Sequence, residues 1–332
     1  MKAIFLNNSA DMINKIYTAE TRARIRRMCS LPDTVITGSQ LEDAAEITRS
    51  ADYVFSTWGM PSLSCEEIRS YFPNLKIVFY AAGSVQGFAR PFLESGIRVI
   101  SAWQANAVPV AEFAASQILL ANKGFFQCFG RTKRDRQSAH LTAQRYPGNF
   151  ETPVGLLGAG IIGTLVIRHL RETRLNIKVF DPFMSQERAD SLGVERWSLD
   201  DIFSKCQTIS NHLANNAQTK HMLTSRHFNV MLPNATFINT GRGAQLIEAD
   251  LIAALKAEPG RMAILDVTDP EPPEADSELL TLDNIVLTPH IAGAMNRETW
   301  RMADYMADEL GRLATGDKLL YEVTLPMLAT MA

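Results

Sequence analysis

Short apolar runs alternate with longer, helix-patterned stretches from the start of the chain. Residues 2–6, 34–36, 53–56, 75–80 and 98–100 read as strands, and residues 13–28 and 42–49 as helices between them. Strands separated by helices predict a mostly parallel sheet covered on both faces. One small α/β unit is thus complete by about residue 102. Residues 108–122 follow, apolar nearly all round, and are expected as a helix buried between two domains. A polar stretch over 131–149 leads into the second half.

That half is organised around one motif. Pro153-Val154-Gly155-Leu156-Leu157 reads as a strand that breaks into Gly158-Ala159-Gly160-Ile161-Ile162-Gly163 and continues as a helix. In a dinucleotide site the first glycine makes the turn, the second lets a pyrophosphate approach, and the third lets helix and strand pack closely. The free N–H groups and positive dipole end of that helix favour phosphate. A second apolar strand ends at Asp181, eighteen residues past Gly163, at about the spacing expected of a carboxylate on the adenosine ribose hydroxyls. No Arg or Lys directly follows Asp181, which favours NAD over NADP, although Arg188 is close enough in sequence to reach the same end. Further strands at 208–210, 235–239, 262–266 and 284–288 bring the expected total in this half to six.

In a doubly wound sheet the chemistry lies at the carboxyl ends of the strands. Residues 236–239 run into Thr240-Gly241-Arg242-Gly243, residues 262–266 into a loop containing Glu271, and the last strand into Pro289-His290. A guanidinium can hold a carboxylate by two parallel bonds, and an imidazole can give or take a proton near neutral pH with a carboxylate as its partner. Arg242, Glu271 and His290 are therefore the groups needed to hold and protonate a 2-keto acid while hydride arrives from a nicotinamide.

Composition changes this picture little. The chain has 332 residues, 46 % of them apolar and 21 % charged, as expected for about two soluble domains. A net charge of −3 gives no reason to expect a nucleic-acid partner, and the arginine clusters near 22–27 and 131–136 read as solvated helix faces. No apolar run is long enough to span a membrane, and the apolar start is too short for a signal peptide. Four isolated cysteines suggest reduced thiols in a cytoplasmic protein, with no metal-binding spacing.

Over essentially its whole length the chain resembles the D-isomer-specific 2-hydroxyacid dehydrogenases, a family that includes glyoxylate/hydroxypyruvate reductases, D-lactate and phosphoglycerate dehydrogenases. The glycine motif with Asp181, Asn239-Thr240-Gly241-Arg242-Gly243, Asp266-Val267 with Glu271-Pro272, and Thr288-Pro289-His290-Ile291-Ala292-Gly293 match its signatures in order. The resemblance implies a Rossmann domain over 103–292, inserted in a smaller flavodoxin-like substrate domain made of 1–102 and 293–332. It implies Arg242 as substrate binder, His290 as acid/base and Glu271 as its partner. Cofactor contacts would come from Gly158, Gly160, Ile161, Ile162, Gly163, Asp181, His212, Leu213, Thr240, Asp266 and His290.

Substrate contacts would come from Trp58, Ala82, Gly83 and Ser84 as well as Arg242 and His290. The loop 81–87 keeps only part of the family's backbone cradle, which leaves the substrate open, and Trp58 reads either as a filler of the side-chain pocket, as a wall against an apolar substrate, or as ordinary packing. The family forms homodimers through the cofactor domain, here with residues 125–150 as the contributing arm. The alternative on the same fold is a non-enzymatic NAD(H)-binding regulatory protein.

Overall fold

A computed structural model describes residues 1–329. The chain divides into two units, Met1–Ala107 with the segment from Ala294 onward, and Val108–Gly293.

In the first unit, strands β1 (Ala3–Leu6), β2 (Val35–Ile36), β3 (Tyr53–Ser56), β4 (Ile77–Tyr80) and β5 (Arg98–Ser101) pair in parallel. Alternate residues serve opposite faces: Phe5, Phe55 and Phe79 enter one apolar cluster, Leu6, Val54 and Val78 the other. Burial of both faces is why these strands are apolar without alternation. The helix expected over 13–28 is two helices, Ala10–Ile16 and Ala19–Arg26. Between them Tyr17 turns its ring onto Phe5 and donates its hydroxyl to the Ser56 carbonyl at 2.9 Å. Thr18 then caps the second helix by accepting from Thr21 N at 3.1 Å, a local signal that apolar periodicity does not register.

The second unit carries strands β6 (Pro153–Leu157), β7 (Asn176–Phe180), β8 (Glu195–Arg196), β9 (Thr208–Asn211), β10 (Thr236–Asn239), β11 (Met262–Leu265) and β12 (Ile285–Leu287). They form one parallel sheet in the order β12-β11-β10-β9-β6-β7-β8. Seven strands replace the expected six because a two-residue edge strand, β8, joins β7. A further two-residue strand, β13 (Glu322–Val323), pairs antiparallel with β5 in the first unit. The strand order reverses beside β6, which pairs with β7 on one side and β9 on the other, so ligands are expected beyond its carboxyl end.

The helix expected over 108–122 starts earlier, at Trp103, and runs to Ala121. The polar stretch over 131–149 is largely helical: Phe125–Arg134 and Arg136–Ala143 are separated at Asp135, whose Oδ1 accepts from Ser138 N at 3.0 Å.

Candidate active site

The chain leaves β6 at Gly158 with φ +89, a backbone state that L side chains avoid. Gly163, one turn on, packs so closely that a Cβ would overlap the Gly158 carbonyl oxygen. At Gly160 a Cβ would meet nothing within 4 Å. Two glycines are thus demanded by packing, whereas the third leaves open space at the mouth of the helix Ile161–Leu170. Thr164 N donates to Gly160 O and is the first amide within that helix to do so, so the N–H groups of Ile161, Ile162 and Gly163 lack helical partners. An anion suits this end.

Asp181 follows β7 and grips the same loop. Its Oδ2 accepts from Ala159 N and its Oδ1 from Phe183 N, each at 2.9 Å. Arg188 takes the other side of that residue, donating from Nη2 to Ala159 O at 3.0 Å. After β9, His212 is buried with Nε2 3.0 Å from Ser210 Oγ, and burial pulls its pKa down to about 4, which keeps the ring neutral. Among the described residues, His212 Nδ1 and Thr240 Oγ1 are buried without a partner. Open space at Gly160, an anion-seeking helix end and two orphaned polar atoms together fit a dinucleotide.

The Asp269 and Glu271 loop is drawn against the Arg242 loop. A Cβ on Gly243 would overlap the Thr268 carbonyl, and Asp269 N donates to Glu248 Oε1 at 2.8 Å. Burial draws the Arg242 guanidinium below its usual range and the Glu271 charge opposes the shift, so the group stays cationic. Arg242 Nη1 donates to Gly241 O at 2.8 Å. Asp266, 2 % exposed, caps the next loop: its Oδ1 accepts from Thr288 Oγ1 at 2.6 Å and Ile291 N at 2.8 Å, and its Oδ2 from Ala292 N at 2.8 Å. That loop carries His290, held at φ +54, and its Nδ1 lies 2.6 Å from Glu271 Oε1. A carboxylate can only accept, so Nδ1 carries the hydrogen and Nε2 is the ring nitrogen left for chemistry.

Residues 117–292 match the family described as D-isomer specific 2-hydroxyacid dehydrogenase, NAD binding domain. The chain belongs to this family. Among related dehydrogenases, the D-3-phosphoglycerate dehydrogenase of Methanocaldococcus jannaschii is 30 % identical over 299 residues, 88 % of this chain and 55 % of that protein. That of Archaeoglobus fulgidus is 29 % identical over 255 residues, 76 % of this chain and 48 % of its own. The chain spans about half the length of these relatives. The apo D-mandelate dehydrogenase of Rhodotorula graminis shares the fold, with a TM-score of 0.80 at 20 % identity over 97 % of both chains.

In this family member, Arg242, Glu271, His290 and the expected cofactor residues all lie in the second unit, at the carboxyl ends of β6, β7, β9, β10, β11 and β12. The remaining expected residues lie in the first unit. Trp58 is half-buried, packs against both apolar clusters and borders a cavity of about 100 Å³ with Met12, Ile16 and Met295. Ala82 and Gly83 are buried, and their carbonyls accept from Ser101 Oγ at 2.9 and 2.8 Å. Ser84 is half-buried on the same loop. Sequence reasoning gave no role to Asn211 and Gln245, which are fully buried and hydrogen-bonded beside Asn239. Asn211 closes β9 and Gln245 lies inside the Arg242 loop, and no pattern along the chain marks the two as partners.

Among the described residues no group of three or more His, Cys, Asp or Glu side chains is placed to hold a metal, and no helix is long and apolar enough to cross a membrane.

Proposed function

We propose that this chain is an NAD-dependent oxidoreductase that interconverts a small 2-keto acid and its D-2-hydroxy acid. The 2.6 Å contact between Glu271 and His290, on a strand-end loop next to the one that meets Arg242, carries this reading. A binding module on the same fold would need the glycine loop but would have no use for an oriented acid/base pair.

Gly158, Gly160 and the N–H groups of Ile161 to Gly163 would hold the pyrophosphate, and Asp181 the adenosine ribose. His212, Leu213, Thr240 and Asp266 would flank the nicotinamide end. The chemistry that NADH supplies when bound is a hydride for the keto carbon. Arg242 would hold the substrate carboxylate and polarise its carbonyl. His290 would donate the Nε2 proton to the keto oxygen in reduction and recover it in oxidation, with Nδ1–H kept on Glu271 throughout. Asp266 would act on the same step by fixing the loop that presents His290.

NADH is the preferred cofactor on this reading, because a 2′-phosphate would face the Asp181 carboxylate. Trp58, Ala82, Gly83 and Ser84 keep their proposed substrate role. Relatives named for 3-phosphoglycerate and mandelate extend the candidate acids from phosphorylated to aromatic ones. Exposed Phe125, Phe129, Leu141 and Phe150 support a homodimer through this arm, and four unpaired cysteines support a reducing, cytoplasmic location.

Oxidation of NADH with glyoxylate, hydroxypyruvate, pyruvate and longer 2-keto acids tests the reading. Turnover with at least one of them is expected. NADH binding without turnover of any would favour the regulatory alternative.

A further inference from the structure

Three fully buried carboxamides, Asn211, Asn239 and Gln245, tie the Arg242 loop to the chain that follows β9. Gln245 Oε1 accepts from Arg242 N at 3.1 Å and from Asn211 Nδ2 at 2.7 Å. Its Nε2 donates to Leu213 O at 2.8 Å and Ala214 O at 3.1 Å. Asn239 completes the frame: its Oδ1 accepts from Gly241 N and Asn211 Nδ2, each at 3.0 Å, and its Nδ2 donates to Arg242 O at 3.1 Å. Asn211 Oδ1 accepts from Leu213 N at 3.2 Å. The orientation of Gln245 is fixed by its partners, since a backbone N–H only donates and the two carbonyls only accept.

Both peptide groups of Arg242 are therefore held by carboxamides, and one of these holds residues 213–214 as well. Gly241 belongs to the same arrangement. A Cβ there would come to 2.5 Å from Gln245 Oε1 and 3.3 Å from Asn211 Nδ2 and Asn239 Oδ1. The tip of a glutamine normally swings aside at little cost, but this one is fixed by four hydrogen bonds. Glycine before the arginine is thus the condition for Gln245 to occupy its place.

We propose that Gln245 is a positioning residue that clamps the substrate-binding Arg242 to the Leu213–Ala214 backbone on the cofactor side, so that filling one side orders the other. This rests on the assignment of Arg242 to substrate and of residues 212–214 to the nicotinamide end. Removing the clamp leaves two carbonyls and two N–H groups unpartnered and frees Arg242 to drift. A displacement of about 1 Å can cost on the order of 100-fold in rate.

The test uses the full chain with its best 2-keto acid. Gln245→Met is expected to lower kcat/KM by about tenfold or more, mainly through KM. Oxamate, an unreactive 2-keto acid analogue, is expected to bind tighter with NADH present in the unmodified protein and to lose that enhancement in the variant. A loss of packing alone would lower the melting temperature but leave the enhancement. Gly241→Ala, which displaces the carboxamide without removing it, should reproduce the defect, and the double variant should be no worse than Gln245→Met alone.

An unchanged kcat/KM in Gln245→Met, an intact oxamate enhancement, or losses that multiply in the double variant would overturn the clamp. If Gln245→Met does not fold, Gly241→Ala decides by the same readouts. Full activity in Arg242→Ala would instead overturn the parent assignment.

Discussion

Glu271 Oε1 and His290 Nδ1 lie 2.6 Å apart, although they come from loops after different strands. The contact sets which nitrogen of the imidazole is free. Glu271→Gln offers an amide in place of an acceptor-only carboxylate, so the ring loses the partner that fixes its tautomer. Steady-state assays should show kcat reduced by about 10²-fold, with NADH affinity unchanged. An unchanged kcat would remove Glu271 from the mechanism.

Gly160 separates the cofactor's needs from the fold's. With no atom within 4 Å of its Cβ position, Gly160→Ala should melt at the unmodified temperature. If a pyrophosphate lies there, NADH affinity should still fall by about tenfold or more, measured by quenching of protein fluorescence. Equal affinity in both proteins would show that the open space at the helix mouth is not the phosphate site.

Asp181 should set the cofactor preference. The unmodified protein should show the higher kcat/KM with NADH, and Asp181→Ser should narrow or reverse the ratio by relieving the charge that a 2′-phosphate meets. Arg188, already on Ala159 O, then offers a cation beside that loop. Equal efficiency with NADPH before mutation would sink this assignment.

His212 makes a prediction about stability. An unfolded histidine takes up a proton near pH 6.5, whereas burial holds His212 neutral down to about pH 4. Between those values the unfolded chain binds more protons, so stability falls as the pH drops through that window. The full effect is about 3 kcal/mol at pH 4. Urea unfolding of His212→Gln should lose less stability than the unmodified protein by about that amount over the same range. Parallel pH profiles would show that the ring is protonated in the native state.

Most of the fold was legible because parallel strands buried on both faces are written as short apolar runs, and the signal survives without alternation. The edges were not. Glu195–Arg196 and Glu322–Val323 are two-residue strands whose pairing comes from their neighbours. The break at Tyr17 and the helices around Asp135 depended on side-chain caps rather than periodicity. In the site, Arg242, Glu271 and His290 stood out because each follows a strand. The engagement of Asp266 with Thr288, Ile291 and Ala292 was illegible, because it is a contact between loops far apart in sequence. The same holds for Asn211 and Gln245, whose roles exist only once β9 and β10 lie side by side.

The most direct test of the account is the turnover of His290→Gln with NADH and the best 2-keto acid, both saturating. Glutamine keeps a polar side chain on the loop held by Asp266 but cannot exchange a proton with the keto oxygen. The rate is expected to fall by on the order of 10²- to 10⁴-fold. A rate equal to that of the unmodified protein would contradict it.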